Sequence, residues 1–130
     1  MANKKYSIIN FSDERGYLLP IELKTVGFEP KRIFIVNNVP LGLIRGNHSH
    51  YKTEQLIICT NGSVNVFLDD GINKEIVLLK KSEAILVPKL VWDSQEFLDD
   101  NSEILVICST EYDATDYILD YNKFISIVKK

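Results

Sequence analysis

Residues 45–54 read RGNHSHYKTE, and they contain both histidines of a 130-residue chain. If this segment is extended, alternate side chains face the same way, so His48 and His50 share one side, with Lys52 and Glu54 next along a straight strand. Two imidazoles and a carboxylate then stand on one wall. What that wall encloses depends on the elements around it.

Short β-type runs separated by turn signals fill the chain to about residue 110, and no stretch there keeps a helical apolar period over about three turns. Strands are predicted near 5–11, 18–23, 32–39, 43–48, 54–60, 63–69, 74–80, 84–88 and 103–109. Asn61-Gly62 and Asp69-Asp70-Gly71 read as hairpin turns, because Asn, Asp and Gly tolerate positive φ; Asp99-Asp100-Asn101-Ser102 reads as another. Around residue 113 the period changes. Tyr117, Ile118, Tyr121, Phe124, Ile125 and Val128 recur at helical spacing, which predicts a C-terminal amphipathic helix capped by Asp113 or Thr115 and ending at Lys129-Lys130. The expected architecture is all-β, a small barrel or two-sheet sandwich with a C-terminal α-helix, in one domain spanning 1–130. The inward side chains of such a barrel line a cavity, and a polar cluster on that inner face is the natural site.

Hydrophobic residues make up 45% of the chain and charged residues 25%, ordinary proportions for a globular protein. No apolar run approaches the roughly 20 residues that span a bilayer, and the N-terminus MANKKYSIINF lacks a long apolar segment with a cleavage site, so the expected location is the cytoplasm, with no membrane partner. A net charge of -3 argues against nucleic acid as a whole-surface partner. Any anionic ligand must instead be held by a local cluster of Arg and Lys. Cys59 and Cys108 lie in apolar runs (LIICT, ILVICST) with no basic cluster beside them, as buried free thiols of a reducing compartment do. Those runs are apolar on both strand faces, which suggests cover by a partner sheet.

The spacing of Gly42, His48, His50, Glu54 and Gly62 resembles the first motif of the cupin superfamily, small β-barrels that often hold a metal on two His, a Glu and a third His. One extra residue precedes Gly62. In the stretch resembling the second motif, SEAILVPKLVWD, Pro88 keeps the family's proline and Asp93 stands where the last histidine would be. With no third histidine, the residues leave two readings: a two-His, one-carboxylate metal site completed by Glu54 or Asp93, or metal-free proton transfer by imidazole. The second is favoured, with neither metal nor cofactor.

A narrower resemblance runs along nearly the whole chain. RGNHSHYKTEQLIICTNGSVNVFLDDG resembles the bacterial sugar 3,4-ketoisomerases, whose pattern is RGxHxH, then EQ, NGS and DDG. Asp13-Glu14-Arg15-Gly16-Tyr17-Leu18, Lys31-Arg32-Ile33, Val91-Trp92 and YDATDYILDYNKF resemble further segments of that family in the same order. The resemblance implies a cupin (RmlC-like) jelly roll and a homodimeric, metal-independent isomerase. Its expected substrate is a dTDP-linked 4-oxo-6-deoxyhexose, dTDP-4-oxo-6-deoxyglucose, on a route to 3-amino-3,6-dideoxysugars of surface glycans such as O-antigen. By position in the motif it implies that His48 takes the C3 proton, that His50 serves the oxygens or the return to C4, and that Arg45 stabilises the enediolate or clamps phosphate; the two histidine roles are interchangeable at this level. Glu54 and Gln55 would orient an imidazole or bond a sugar hydroxyl. Arg15 and Arg32 would hold pyrophosphate, because a guanidinium fork matches two phosphate oxygens. Trp92, the sole tryptophan, would stack on thymine or sit in the core. Two positions depart from the family: Phe34 stands in a strand where these enzymes commonly carry tyrosine, and Asp93 follows Trp92 where a histidine is common. A metal-dependent cupin enzyme and a non-catalytic nucleotide-sugar-binding module are the competing readings.

Overall fold

Where a strand buries one face its apolar residues alternate, and where it buries both faces they run together. Both patterns are realised in the computed structural model, which describes residues 4–129. Among the described residues twelve strands follow in order: β1 (Tyr6–Ser7), β2 (Phe11–Asp13), β3 (Gly16–Leu18), β4 (Arg32–Asn37), β5 (Ile44–His50), β6 (Gln55–Asn61), β7 (Ser63–Asp69), β8 (Lys74–Lys80), β9 (Glu83–Val87), β10 (Trp92–Phe97), β11 (Glu103–Cys108) and β12 (Tyr117–Ile118). One α-helix, α1 (Tyr121–Val128), closes the chain. Among the described residues no helix is long and apolar enough to cross a membrane.

The strands form two five-stranded sheets, ordered β1-β9-β6-β11-β4 and β12-β5-β10-β7-β8, and a separate β2-β3 hairpin. Every pairing is antiparallel. The inner faces meet in one cluster, with Ile57, Cys59, Ile104 and Val106 from the first sheet against Val64, Val66, Leu68 and Phe97 from the second. This is the all-β, jelly-roll arrangement of cupins, although the sheets do not close into a continuous barrel.

The continuous run of β6 has a local explanation. Ile57 and Cys59 face inward, whereas Leu56 and Ile58 face outward into a second cluster with Ala84 and Ile107, covered by Ile8, Leu19, Ile21, Val26 and Phe28. The chain's own N-terminal segment provides the cover expected from a partner sheet.

β7 and β8 match their predicted spans, and β4, β5, β6, β9 and β11 lie within a few residues of theirs. The run 5–11 is interrupted at residues 8–10. In 18–23 only Leu18 is in a strand, and Leu23 begins a 3-10 turn over Leu23–Thr25. The turn at Asp69-Asp70-Gly71 joins paired strands β7 and β8, with Asp69 accepting from the Gly71 N–H and Asp70 from the N–H groups of Ile72 and Asn73. Asn61-Gly62, by contrast, is no hairpin. It carries the chain from β6 in one sheet to β7 in the other, and Asp99–Ser102 crosses back from β10 to β11. The two crossovers touch: a Cβ on Gly62 would come within 2.8 Å of the Ser102 Cα, and the Ser102 hydroxyl donates to the Ser63 carbonyl at 2.8 Å.

The C-terminal helix begins later than the period suggests. Asp113 caps a 3-10 turn (Ala114–Asp116), Tyr117 and Ile118 form β12, and the helix N-cap is Asp120, which accepts from the Lys123 N–H. The helix ends at Val128; Lys130 lies outside the described residues.

Candidate active site

The cavity between the sheets is shaped by an irregularity in β5. Gly46 and Asn47 both have positive φ, at 89° and 59°. Opposite them the register jumps: Gly46 pairs with Ser94, but the next partner, Asp93, pairs with His48. Asn47 is therefore the extra residue of a β-bulge. Along a regular strand, Arg45 and His48 would face opposite sides. The bulge reverses the alternation between them, so both line the cavity, opposite Gln95 and Asp93 on β10. Gly46 fits here because the left-handed conformation suits glycine and because an added Cβ would meet the Asp93 carbonyl oxygen and the Ser94 Cα at 3.0 Å.

The cavity has a volume of about 420 Å³. Its polar wall is Arg45, His48, Asp93 and Gln95 from the second sheet, and Ile57, Ile104 and Val106 from the first sheet supply an apolar one. Gln55 also lines it and donates to the Cys108 sulfur at 3.5 Å. On β4, Arg32, Phe34 and Val36 alternate toward the cavity. The Arg32 guanidinium lies 4.9 Å from the Phe34 ring centre and 5.1 Å from that of Tyr112, an aromatic clamp of two rings that holds the cation without neutralising it. Among the described residues no ion pair to Arg32 or Arg45 is formed.

His48, His50 and Tyr117 form a three-ring cluster. The imidazole centres are 4.9 Å apart and nearly perpendicular, and Tyr117 lies 5.1 Å from His48 and 4.6 Å from His50. His48 and Tyr117 line the cavity; His50 is buried behind them and does not. Tyr117 is held there by the short β12–β5 pairing, in which it stands opposite His50. Asp116 secures that pairing. Its carboxylate accepts from the N–H groups of Lys52 and Thr53 and from the Thr53 hydroxyl, and its carbonyl accepts from the Tyr51 N–H.

Burial sets the protonation of the cluster. It pulls the His50 imidazole down to about 4, with the neighbouring His48 adding to the effect, and it lowers His48 against a weaker opposing hydrogen bond at Gly46. Both rings are therefore neutral near neutral pH, and a neutral imidazole can take a proton. Burial pushes Asp93 up to about 7, opposed only by the hydrogen bond that Gln95 Nε2 donates to its Oδ2; its Oδ1 is buried and has no partner among the described residues. The thiols are disfavoured as nucleophiles, since burial raises Cys59 to about 11 and also raises Cys108.

Several sequence-predicted residues lie elsewhere. Glu54 does not line the cavity, and its backbone N–H and C=O bond Ser109 instead. Arg15 is on the β2-β3 hairpin, its side chain 85% exposed and paired with Asp13. Trp92 is excluded by alternation: its neighbour Asp93 faces inward, so the indole faces outward, 5.3 Å from Tyr121 and 5.7 Å from Phe124. Its role is packing of α1. Among the described residues no group of three or more His, Cys, Asp or Glu side chains is placed to hold a metal ion, so the donor set of two histidines with Glu54 or Asp93 is not assembled. Gln95 and Tyr117 are the polar lining residues that sequence reasoning left out. The D-x-Q alternation in WDSQEF was a usable signal for the first; a helical period concealed the second.

A family model described as WxcM-like, C-terminal (FdtA) matches residues 1–129. A protein of Aneurinibacillus thermoaerophilus named TDP-4-oxo-6-deoxy-alpha-D-glucose-3,4-oxoisomerase is 36% identical over 132 residues, which cover 100% of this chain and 95% of that protein. Among solved structures, a 3,4-ketoisomerase from Helicobacter canadensis superposes with a TM-score of 0.91 at 30% identity, covering 100% of this chain and 99% of that one. A mutant of the 3,4-ketoisomerase QdtA from Thermoanaerobacterium thermosaccharolyticum, in complex with TDP-4-keto-6-deoxyglucose, gives 0.90 at 32% identity, covering 98% and 94%.

Proposed function

The chain belongs to the FdtA (WxcM-like, C-terminal) family, and from that premise we propose how its cavity works. It is an isomerase, a TDP-sugar 3,4-ketoisomerase, and its substrate is TDP-4-oxo-6-deoxyglucose. The reaction moves a ketone from C4 to C3. That requires removal of the C3 proton, stabilisation of an enediolate, proton exchange between the two oxygens and protonation of C4.

His48 is assigned as the base that takes the C3 proton. The observation that carries this assignment is a neutral imidazole on the cavity wall, on the same side as an arginine, Arg45, that forms no ion pair among the described residues. A positioned base contributes about 10²–10⁴-fold. Arg45 stabilises the negative charge that develops on O4, and Arg32 holds the pyrophosphate, its guanidinium aimed by the aromatic clamp. Gln55 and Gln95 bond sugar hydroxyls. Because His50 does not line the cavity, it is assigned to holding His48 in position within the ring cluster rather than to direct contact with the sugar.

The single cupin domain is assigned to a cytoplasmic homodimer that supplies 3-oxo-6-deoxyhexoses to surface-glycan synthesis. Arg15 does not line the cavity of its own chain and is paired with Asp13 on an exposed hairpin, so it is assigned to a phosphate held at the cavity of the partner protomer of that dimer. The test is to incubate the purified protein with TDP-4-oxo-6-deoxyglucose and follow the sugar by proton NMR. A 3-oxo product is expected, and its C4 coupling reports whether the hydroxyl is gluco or galacto. Binding without turnover would support the non-catalytic module instead.

A further inference from the structure

Resting on the ketoisomerase reading, we propose that Asp93 is the second proton carrier of the reaction and that its Oδ1 exchanges a proton with the sugar oxygens. The polar wall leaves few alternatives. Guanidinium groups are donors only, which sets aside Arg32 and Arg45, the amides of Gln55 and Gln95 do not relay protons, His48 is occupied with carbon, Phe34 has no hydroxyl, and the Tyr117 phenol is held in the ring cluster with His48 and His50 rather than across the strand pair. Asp93 differs from all of these. It lines the cavity directly across the β5–β10 pair from His48 while being only 1% exposed to solvent. Gln95 occupies its Oδ2, and its Oδ1 has no partner among the described residues. A buried carboxyl oxygen with no partner is costly unless a ligand satisfies it.

The step balances as follows. His48 takes the C3 proton, and the C3–H electron pair becomes the C3=C4 double bond. The C4 carbonyl π pair moves onto O4, which takes the proton from Asp93 Oδ1 to give the enediol. The resulting carboxylate then removes the proton from O3; the O3–H pair forms the C3=O bond, and the C3=C4 pair takes a proton at C4 from the His48 imidazolium. His48 ends neutral and Asp93 ends protonated, as they began. Arg45 stands beside the charge that forms on O4 in the first half.

The charged and titratable groups around this carboxyl are His48 and Arg45 on β5, Tyr117 on β12 and Arg32 on β4. Its partner on β7 is the uncharged Leu68, and its neighbour along β10 on the same face is Gln95. Burial favours the protonated form that the first half requires.

The experiment compares the wild-type chain with Asp93→Asn on TDP-4-oxo-6-deoxyglucose in deuterated water, reading C3 proton wash-out and 3-oxo product separately. The variant is expected to lose ketone transfer by about 10²-fold or more and to lose less of the wash-out, because Arg45 still faces the enolate charge on O4 when the acid is gone. Transfer at close to the wild-type rate would overturn the proposal. Should the substitution prevent folding, the wild type decides alone: transfer declines as pH rises through about 7 while wash-out continues, whereas identical pH curves for the two events overturn Asp93 as carrier. Wash-out and transfer both absent from the folded wild type would sink the ketoisomerase reading itself, and this proposal with it.

Discussion

Asp93 and His48 face each other across adjacent strands, immediately beside the residue that β5 carries in excess. The polar wall of the cavity therefore depends on the bulge as much as on the side chains. Without Asn47 out of register, Arg45 would turn away from His48.

This makes Gly46 a sensitive position. A side chain there must adopt left-handed φ, which costs about 1–2 kcal/mol, and must push against the backbone of Asp93 and Ser94. Gly46→Ala is expected to lower stability by at least that amount and turnover by more than tenfold, through displacement of Asp93 from His48. Urea unfolding and steady-state assays read the two effects; a variant with wild-type turnover would show that the bulge does not set the site.

The buried ionisable groups predict an unusual pH dependence of stability. His50 falls from 6.5 to about 4 on folding, so between these values the unfolded chain binds the extra proton and stability rises with pH; the lowered His48 acts in the same sense. Asp93 rises from 3.8 to about 7, so the folded chain holds the extra proton and stability falls as pH rises through that window. The two trends oppose each other between about pH 4 and 6.5. Asp93→Asn removes one of them, and its stability should climb with pH there by up to about 1.4 kcal/mol per unit, against a flatter wild-type profile. Parallel profiles in denaturant titrations would contradict the burial of these charges.

The fold was legible where strand patterns were driven by a dry core and obscure where they were driven by the cavity. β7 and β8 alternate toward the core, and their predicted spans match. β10 was absent from the reading because its inward residues are Asp93 and Gln95, so WDSQEF has the polarity of a loop. Asn61-Gly62 has the residues of a hairpin turn, yet local turn chemistry does not say in which sheet the next strand will pair. Tyr117 and Ile118 kept helical phase with Tyr121 by coincidence, which hid a site residue in a helix that starts after it. His48, Arg45, Gln55 and Arg32 were found from the motif, and the bulge that brings Arg45 to His48 was not visible in it.

Arg32 is the cavity cation that lies over two aromatic rings, those of Phe34 and Tyr112. Removing it should weaken TDP binding by roughly 10- to 100-fold, on the scale of about 1.5–3 kcal/mol for a charge-assisted bond. Arg32→Lys should recover little, since an ammonium neither stacks on the rings of Phe34 and Tyr112 nor bonds two oxygens in a fork. Calorimetric titration with TDP measures both. Unchanged affinity in Arg32→Ala would remove it from the phosphate site.

Trp92 packs against Tyr121 and Phe124 on the far side of its sheet. Adding TDP should therefore leave the intrinsic tryptophan fluorescence nearly unchanged, while Trp92→Ala should destabilise the chain by up to about 3 kcal/mol, the low end for a packed aromatic. Strong quenching on TDP addition would place the base against the indole after all.

The account stands most directly on His48 as the base that starts ketone transfer. The decisive measurement is a proton NMR time course of TDP-4-oxo-6-deoxyglucose in deuterated water, with the wild-type chain and with His48→Asn side by side. Loss of the C3 signal and appearance of the 3-oxo sugar with the wild type, and neither with the variant, is the predicted result. Conversion by His48→Asn at the wild-type rate would contradict it.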